Sequence, residues 1–130
     1  MGIEKVLLAR GGPHLSRMAY GAWRLNDDPQ RASLQHVREK IDLCLELGLT
    51  TIDHADIYGD YSCEALFGRA LAEAPSLRDK MQLVTKAGIK LVSAHRPSHK
   101  IKSYDTSAAH LTASLDNSLK QLRTEYVDLF

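Results

Sequence analysis

Cysteine and proline are scarce in this chain, and neither sign of charge is in excess. Cys44 and Cys63 are the two cysteines among 130 residues. That is too few for a disulfide scaffold, so free thiols in a reducing compartment are expected. Seventeen Lys and Arg against sixteen Asp and Glu leave a formal net charge of +1. The basic surface that nucleic acid or an anionic membrane would require is missing, and neither partner is expected. No apolar run approaches the length of a membrane span. The opening "MGIEKVLLARGG" carries charges where a secretory leader needs an apolar core. It starts Met-Gly but has Val6 where the myristoylation pattern needs Ser or Thr. A cytoplasmic globular domain is what these absences leave, with 44% apolar residues to build its core and 25% charged residues to cover it.

What is present alternates. "EKVLLARGGPHLSRMAYGAW" reads as a hairpin around "GGP" followed by a strand into Gly21. "NDDPQ" supplies a helix start, with Asp28 as N-cap and Pro29 as first helical residue. Leu34, Val37, Ile41, Cys44 and Leu45 then recur at helical spacing, and Gly48 is placed to end that helix. "LTTID" has the β-branched, apolar character of a buried parallel strand. "SCEALFGRALAEA" is helical until Pro75, and "MQLVTKAG" is a third strand running to Lys86 and Gly88. Ala108, Leu111, Leu115 and Leu122 line one face of a last helix, capped by Asp105 or Thr106, and "YVDLF" begins another strand.

Strands alternating with helices predict a parallel sheet with crossover helices. The two common outcomes are a doubly wound sheet and an eight-stranded β/α barrel. "AYGAWRLNDD", after the first long strand, is neither GxGxxG nor a P-loop, which disfavours the doubly wound dinucleotide fold. The last residue, Phe130, is a large apolar side chain inside a strand-like run. Residues 1–130 are therefore expected to be the first part of a longer domain, with open sheet edges through which the chain self-associates.

In parallel β/α architectures chemistry collects where strands end. Asp53 ends one strand, Lys86 the next, and Tyr58 lies in the loop beyond Asp53. A phenol is a poor proton donor at neutral pH, a neighbouring ammonium stabilises its phenolate, and a carboxylate keeps that ammonium charged. Such a trio suits giving a proton to an oxygen that becomes negative, as a carbonyl oxygen does on accepting hydride. The competing reading is structural: an Asp after a strand often caps a turn, and a Lys there is often merely solvated.

"GLTTIDHADIYG", "CEALFGRAL", "LVTKAGI" and "SLKQLRTEYVDLF" together resemble the aldo-keto reductase family, in register from "MAYGAWRL" to the final strand. The resemblance implies a (β/α)8 barrel closed at its base by the N-terminal hairpin, here represented by its N-terminal half. It implies an oxidoreductase that reduces an aldehyde or ketone with NADPH. By position, Asp53, Tyr58 and Lys86 match three members of the family's catalytic tetrad, with Tyr58 as proton donor and Lys86 as the lysine that eases its ionisation. Gly21, Ala22 and Trp23, with Asp53, match the segments that lie against the cofactor in relatives. The fourth member, a histidine, follows a pattern like Tyr-x-Asp-Leu-x-x-x-x-His; Tyr126, Asp128 and Leu129 match its start, and the chain ends before the histidine. The alternative is a non-catalytic remnant or a regulatory relative.

Two departures stand out: His54 occupies a position that is usually small in the family, and the spacing to Glu64 is longer than in the common signature. A metal site on Asp53, His54 and Asp56, which would make a barrel hydrolase, is disfavoured because neighbouring residues of a strand point to opposite sides. No metal is expected. His95 and His99 are separated by Pro97 and read as a solvated turn within a basic loop over residues 90–102, which should overhang the active-site mouth. His110 reads as a surface residue.

Overall fold

The computed structural model describes residues 2–27, 29–30 and 32–130. Strands β1 (Lys5–Leu7) and β2 (His14–Ser16) form an antiparallel hairpin. Strands β3 (Ala19–Gly21), β4 (Thr51–Asp53) and β5 (Gln82–Val84) then build a parallel sheet in the order β3-β4-β5. The final run extends it: Leu129 bridges Val84 in parallel, and its carbonyl accepts from Thr85 N–H at 3.1 Å. Helix α1 (Leu34–Glu46) joins β3 to β4, and α3 (Cys63–Ala72) joins β4 to β5. Helix α4 (Ala108–Leu122) leads from β5 to the last run. The expected hairpin and alternation of strands and helices are therefore present through the last helix, while the expected final strand is reduced to the single bridge at Leu129.

The hairpin is tied to the start of β4, where Ser16 N–H donates to Thr51 Oγ1 at 2.8 Å and Thr51 N–H donates to Ser16 Oγ at 2.9 Å. It thus sits at the end of the sheet opposite the strand C-termini. On the helical side, α3 packs between α1 and α4. Val37 and Ile41 of α1, Ile52 and Leu83 of the strands, Phe67 and Leu71 of α3 and Leu122 of α4 form one buried cluster. Apolar contact of this extent is the main term holding helices to sheet.

Helix α3 can approach α4 only because position 68 is glycine. A Cβ there would stand 1.9 Å from the Gln121 carbonyl oxygen and 2.8 Å from Leu122 C, both rigid backbone. Gly68→Ala should therefore destabilise the chain by about 3 kcal/mol, the upper end for overpacking. The shift of its urea midpoint against the parent at equal slope measures this.

Several local expectations are corrected. The first long helix starts at Leu34, with Ser33 Oγ accepting from His36 N–H, because a serine one residue before the periodic run caps it directly. The expected cap Asp28 lies outside the described residues, and Pro29 precedes the helix. Helix α4 is capped by Ser107 rather than Asp105 or Thr106; Asp105 instead accepts from the Ser107 N–H. Gly48 does follow α1 in the left-handed conformation, with φ 76°. Residues 90–102 are not a plain solvated loop. They form the outer part of a hairpin whose strands are β6 (Ile89–Lys90) and β7 (Ser103–Tyr104), with Arg96 and His99 folded inward.

Candidate active site

Parallel register sets the site. Gly21 pairs with Asp53, and Asp53 with Val84, so three strand ends lie level. Backbone pairing continues beyond them: His54 N–H donates to Val84 O at 2.8 Å and Asp56 N–H to Lys86 O at 3.1 Å. That continuation carries Lys86, two residues past β5, back against Asp53. Its ammonium donates to Asp53 Oδ1 at 2.7 Å and to the His54 carbonyl oxygen at 2.8 Å.

Tyr58 opens a single turn, α2 (Tyr58–Tyr61), just beyond β4. The Lys86 Nζ stands 5.0 Å from the centre of its ring. Partial burial disfavours the charged lysine, but the hydrogen bonds and negative charge offered by Asp53 and Tyr58 outweigh it, and the Lys86 pKa stands above the ordinary lysine range. Trp23 follows β3 in a short 3-10 turn (Ala22–Arg24), with Ala22 buried beneath it. Its indole is 61% exposed and lies 6.5 Å from the Tyr58 ring, tilted by 37°. A cavity of about 250 Å³ opens beside these groups, walled by Ala55, Ile57, Tyr58, Lys86 and Ile89. Asp53, Tyr58, Lys86, Gly21, Ala22 and Trp23 thus all gather at the C-terminal edge of the sheet.

His54 goes the other way. Its side chain is fully buried, packed edge-on against Phe67 with ring centres 4.6 Å apart, and neither ring nitrogen has a hydrogen-bond partner. Among the described residues no group of three or more His, Cys, Asp or Glu is disposed to hold a metal ion. Burial, assisted by the charge of Lys86, pushes the His54 pKa from 6.5 down to about 3. An unfolded histidine protonates near the first value and the folded one only near the second, so between them the unfolded state binds the extra proton. The stability His54 leaves to the fold is intact above about pH 6.5 and declines as pH falls toward about 3, by up to about 1.4 kcal/mol per pH unit. His54→Phe should therefore lose less melting temperature than the parent between neutral pH and pH ~4.5. Equal losses in parallel thermal melts would show that His54 plays no part.

Two further buried acids lie close to the site. Glu64, 3% exposed, accepts from Thr85 Oγ1 and from Ser118 Oγ, each at 2.9 Å. It thereby ties the residue before Lys86 to α4, and burial raises its carboxyl pKa despite both hydrogen bonds. Its place on the buried face of α3, three before Phe67 and seven before Leu71, was the available signal in the sequence. Asp56 is also buried, and desolvation raises its pKa against the opposing fields of His110, Arg96 and His99. His110, read as a surface residue, is instead half-buried and lines a cavity with Asp56, Arg96 and His99.

Comparison with known proteins agrees with this architecture. The profile of the Aldo/keto reductase family matches residues 17–130. An uncharacterized oxidoreductase of Bacillus subtilis is 49% identical over 118 residues, covering 88% of this chain and 37% of the relative. A 6-dehydroglucose reductase of Agrobacterium fabrum is 48% identical over 115 residues, covering 88% of this chain and 38% of that protein. The holo form of an aldo-keto reductase from Bacillus halodurans superposes with a TM-score of 0.75 at 27% identity, over 98% of this chain and 40% of that one. The chain thus spans about two fifths of the length of the proteins it matches. The ion pair of Asp53 and Lys86 at the C-terminal edge of a parallel sheet and a family profile that runs through nearly the whole sequence lead to one assignment: this chain belongs to the aldo/keto reductase family and forms part of its (β/α)8 fold.

Proposed function

We propose that these residues supply the proton-donating half of an NADPH-dependent reductase that converts an aldehyde or ketone to an alcohol. The observation that carries this reading is the ammonium of Lys86, held 2.7 Å from Asp53 and 5.0 Å from the Tyr58 ring centre. The hydride for the carbonyl carbon would come from NADPH when it is bound. Tyr58 Oη gives its proton to the carbonyl oxygen as negative charge develops there, and Lys86 stabilises the phenolate left behind. Asp53 keeps Lys86 charged and aimed. The residues present suit a nicotinamide: Trp23 offers an exposed aromatic face near Tyr58, and Gly21 presents no side chain beside Asp53.

Joining residues 1–130 to the remainder of the Bacillus subtilis relative makes a complete barrel in which this is testable. NADPH absorbance should fall on adding a substrate from a panel of aldehydes and ketones. A sugar aldehyde belongs in that panel, given the name of the 48% identical relative. A barrel that binds NADPH and consumes none with any of them would favour the non-catalytic alternative.

The 130-residue chain by itself is expected to bind NADPH weakly and to self-associate. Among the described residues β3 pairs only with β4, leaving one edge of the parallel sheet free, and parallel sheets are ordinarily covered. Phosphate sites of β/α barrels are frequently built after strands seven and eight, and only about two fifths of the relatives' length is spanned here. Fluorescence titration with NADPH and light scattering check both expectations. A stable monomer with micromolar affinity would overturn them.

A further inference from the structure

The turn that begins with Tyr58 has an unusual backbone. Gly59, Asp60 and Tyr61 follow one another with φ of 61°, 54° and 66°. Single residues visit the left-handed region routinely; runs of them do not, and a bulky residue there is an outlier. Gly59 enters it without steric conflict, whereas any Cβ there would stand 2.6 Å from Cys63 Sγ and force that side chain to shift. Tyr61 has no such licence and must be held from outside.

What holds it is the β6–β7 hairpin. Leu91 N–H donates to Tyr61 Oη at 2.8 Å, and Leu91 O lies 2.9 Å from His99 Nδ1. The guanidinium of Arg96 covers the Tyr61 ring at 4.3 Å, and the His99 ring meets it edge-on at 6.2 Å. On the other side the turn closes on itself, with Tyr61 N–H donating to Ile57 O and Ser62 N–H to Tyr58 O at 3.3 and 3.2 Å. Ser62 Oγ donates in turn to Gly59 O and is bound by the Asn26 amide. A displacement of Tyr61 is therefore transmitted to Tyr58 through four bonded residues, and strain of this kind persists only where surrounding contacts over-determine it.

We propose that Tyr61 is a positioning residue: its ring clasps the β6–β7 hairpin and so holds the left-handed turn that presents Tyr58 to Lys86. This rests on the reading of Tyr58 as proton donor. Removing the clasp leaves the turn free to relax and moves the phenol out of line with the ammonium and the cavity.

The discriminating variant is Tyr61→Gly, because glycine tolerates φ 66° and so deletes the clasp without adding a steric clash of its own. In the complete barrel it should lower kcat by between tenfold and about a hundredfold, the range for a misplaced catalytic group. The NADPH dissociation constant should not change. Tyr61→Phe, which retains the ring under Arg96 and against His99, should restore most of the turnover. In the 130-residue chain labelled with carbon-13 tyrosine, the Tyr58 ring signal, identified by its loss in Tyr58→Phe, should move in Tyr61→Gly and stay in place in Tyr61→Phe. Unchanged kcat in Tyr61→Gly, in a barrel that Tyr58→Phe inactivates, would overturn the proposal, as would an unmoved Tyr58 signal. If the Tyr58→Phe barrel itself keeps turning over, the proton-donor reading fails first and takes this inference with it.

Discussion

Tyr58→Phe is expected to lower carbonyl reduction by the complete barrel about a thousandfold, within the range for loss of a positioned acid, with NADPH binding retained. The substitution deletes one oxygen and its proton and leaves the ring, so the contact with Trp23 and the wall of the cavity survive. The position is already confined by its neighbours, with Tyr58 N–H donating to Ala55 O and Tyr58 O accepting from Ser62 N–H. Structural collapse is therefore not the expected route to inactivity. The loss should fall on kcat and kcat/KM alike, as it does when an interaction made in the transition state is removed. Near-normal turnover would refute the assignment of the donor, and a lost NADPH affinity would place Tyr58 in cofactor binding.

Lys86→Met should have the next largest effect, a loss of kcat of at least about a hundredfold. Methionine keeps much of the lysine stem and removes the charge. Two consequences follow from the geometry. Asp53 loses the ammonium 2.7 Å away and the His54 carbonyl loses its donor at 2.8 Å, so the strand ends keep their backbone pairing without their side-chain link. The phenolate formed as Tyr58 gives up its proton also loses the positive charge that offsets it. Because Lys86 and Tyr58 act as one unit, the double variant should be scarcely worse than the weaker single variant. Additive losses in kcat, measured in a double-mutant cycle, would mean that the two residues act independently.

The reach of the sequence can be judged residue by residue. Asp53 and Lys86 were legible because each closes a short apolar run, and parallel register brings the ends of such runs level. Tyr58 was legible from its motif, since nothing in periodicity marks a tyrosine in a loop. The caps show a different limit. Asp28 and Asp105 are good cap residues, yet Ser33 and Ser107 stand one residue before their helices and accept from the N–H three residues on. Several acceptable caps in a row leave the choice to packing, which decides where the first helical turn meets the sheet.

Contacts between distant residues lay beyond local reading altogether. Arg78 is 8% exposed and donates to Thr124 Oγ1, Met81 O, Tyr126 O and Asp128 Oδ2, all within 3.0 Å. Asp128 Oδ2 also accepts from Leu83 N–H at 2.8 Å, so one ion pair pins the final run beside β5. In the sequence these are an ordinary arginine and an ordinary aspartate. Removing Asp128 would leave the buried Arg78 guanidinium without its counter-charge.

By itself, then, the sequence determined the first hairpin, the alternation of parallel strands with the three long helices, the resemblance to the family and the side chains that meet at the C-terminal edge of the sheet. All of these follow from short-range pattern: apolar period, turn residues and motif spacing. Only the tertiary structure decided the inward fold of Arg96 and His99, the burial of His54 away from Asp53, and the left-handed path through Tyr61. The physical reason is common to the three. Each conformation is unfavourable or indifferent for its own residue, and is selected by partners well outside its own turn, as between His99 and Leu91, 8 residues apart, or Leu91 and Tyr61, 30 apart.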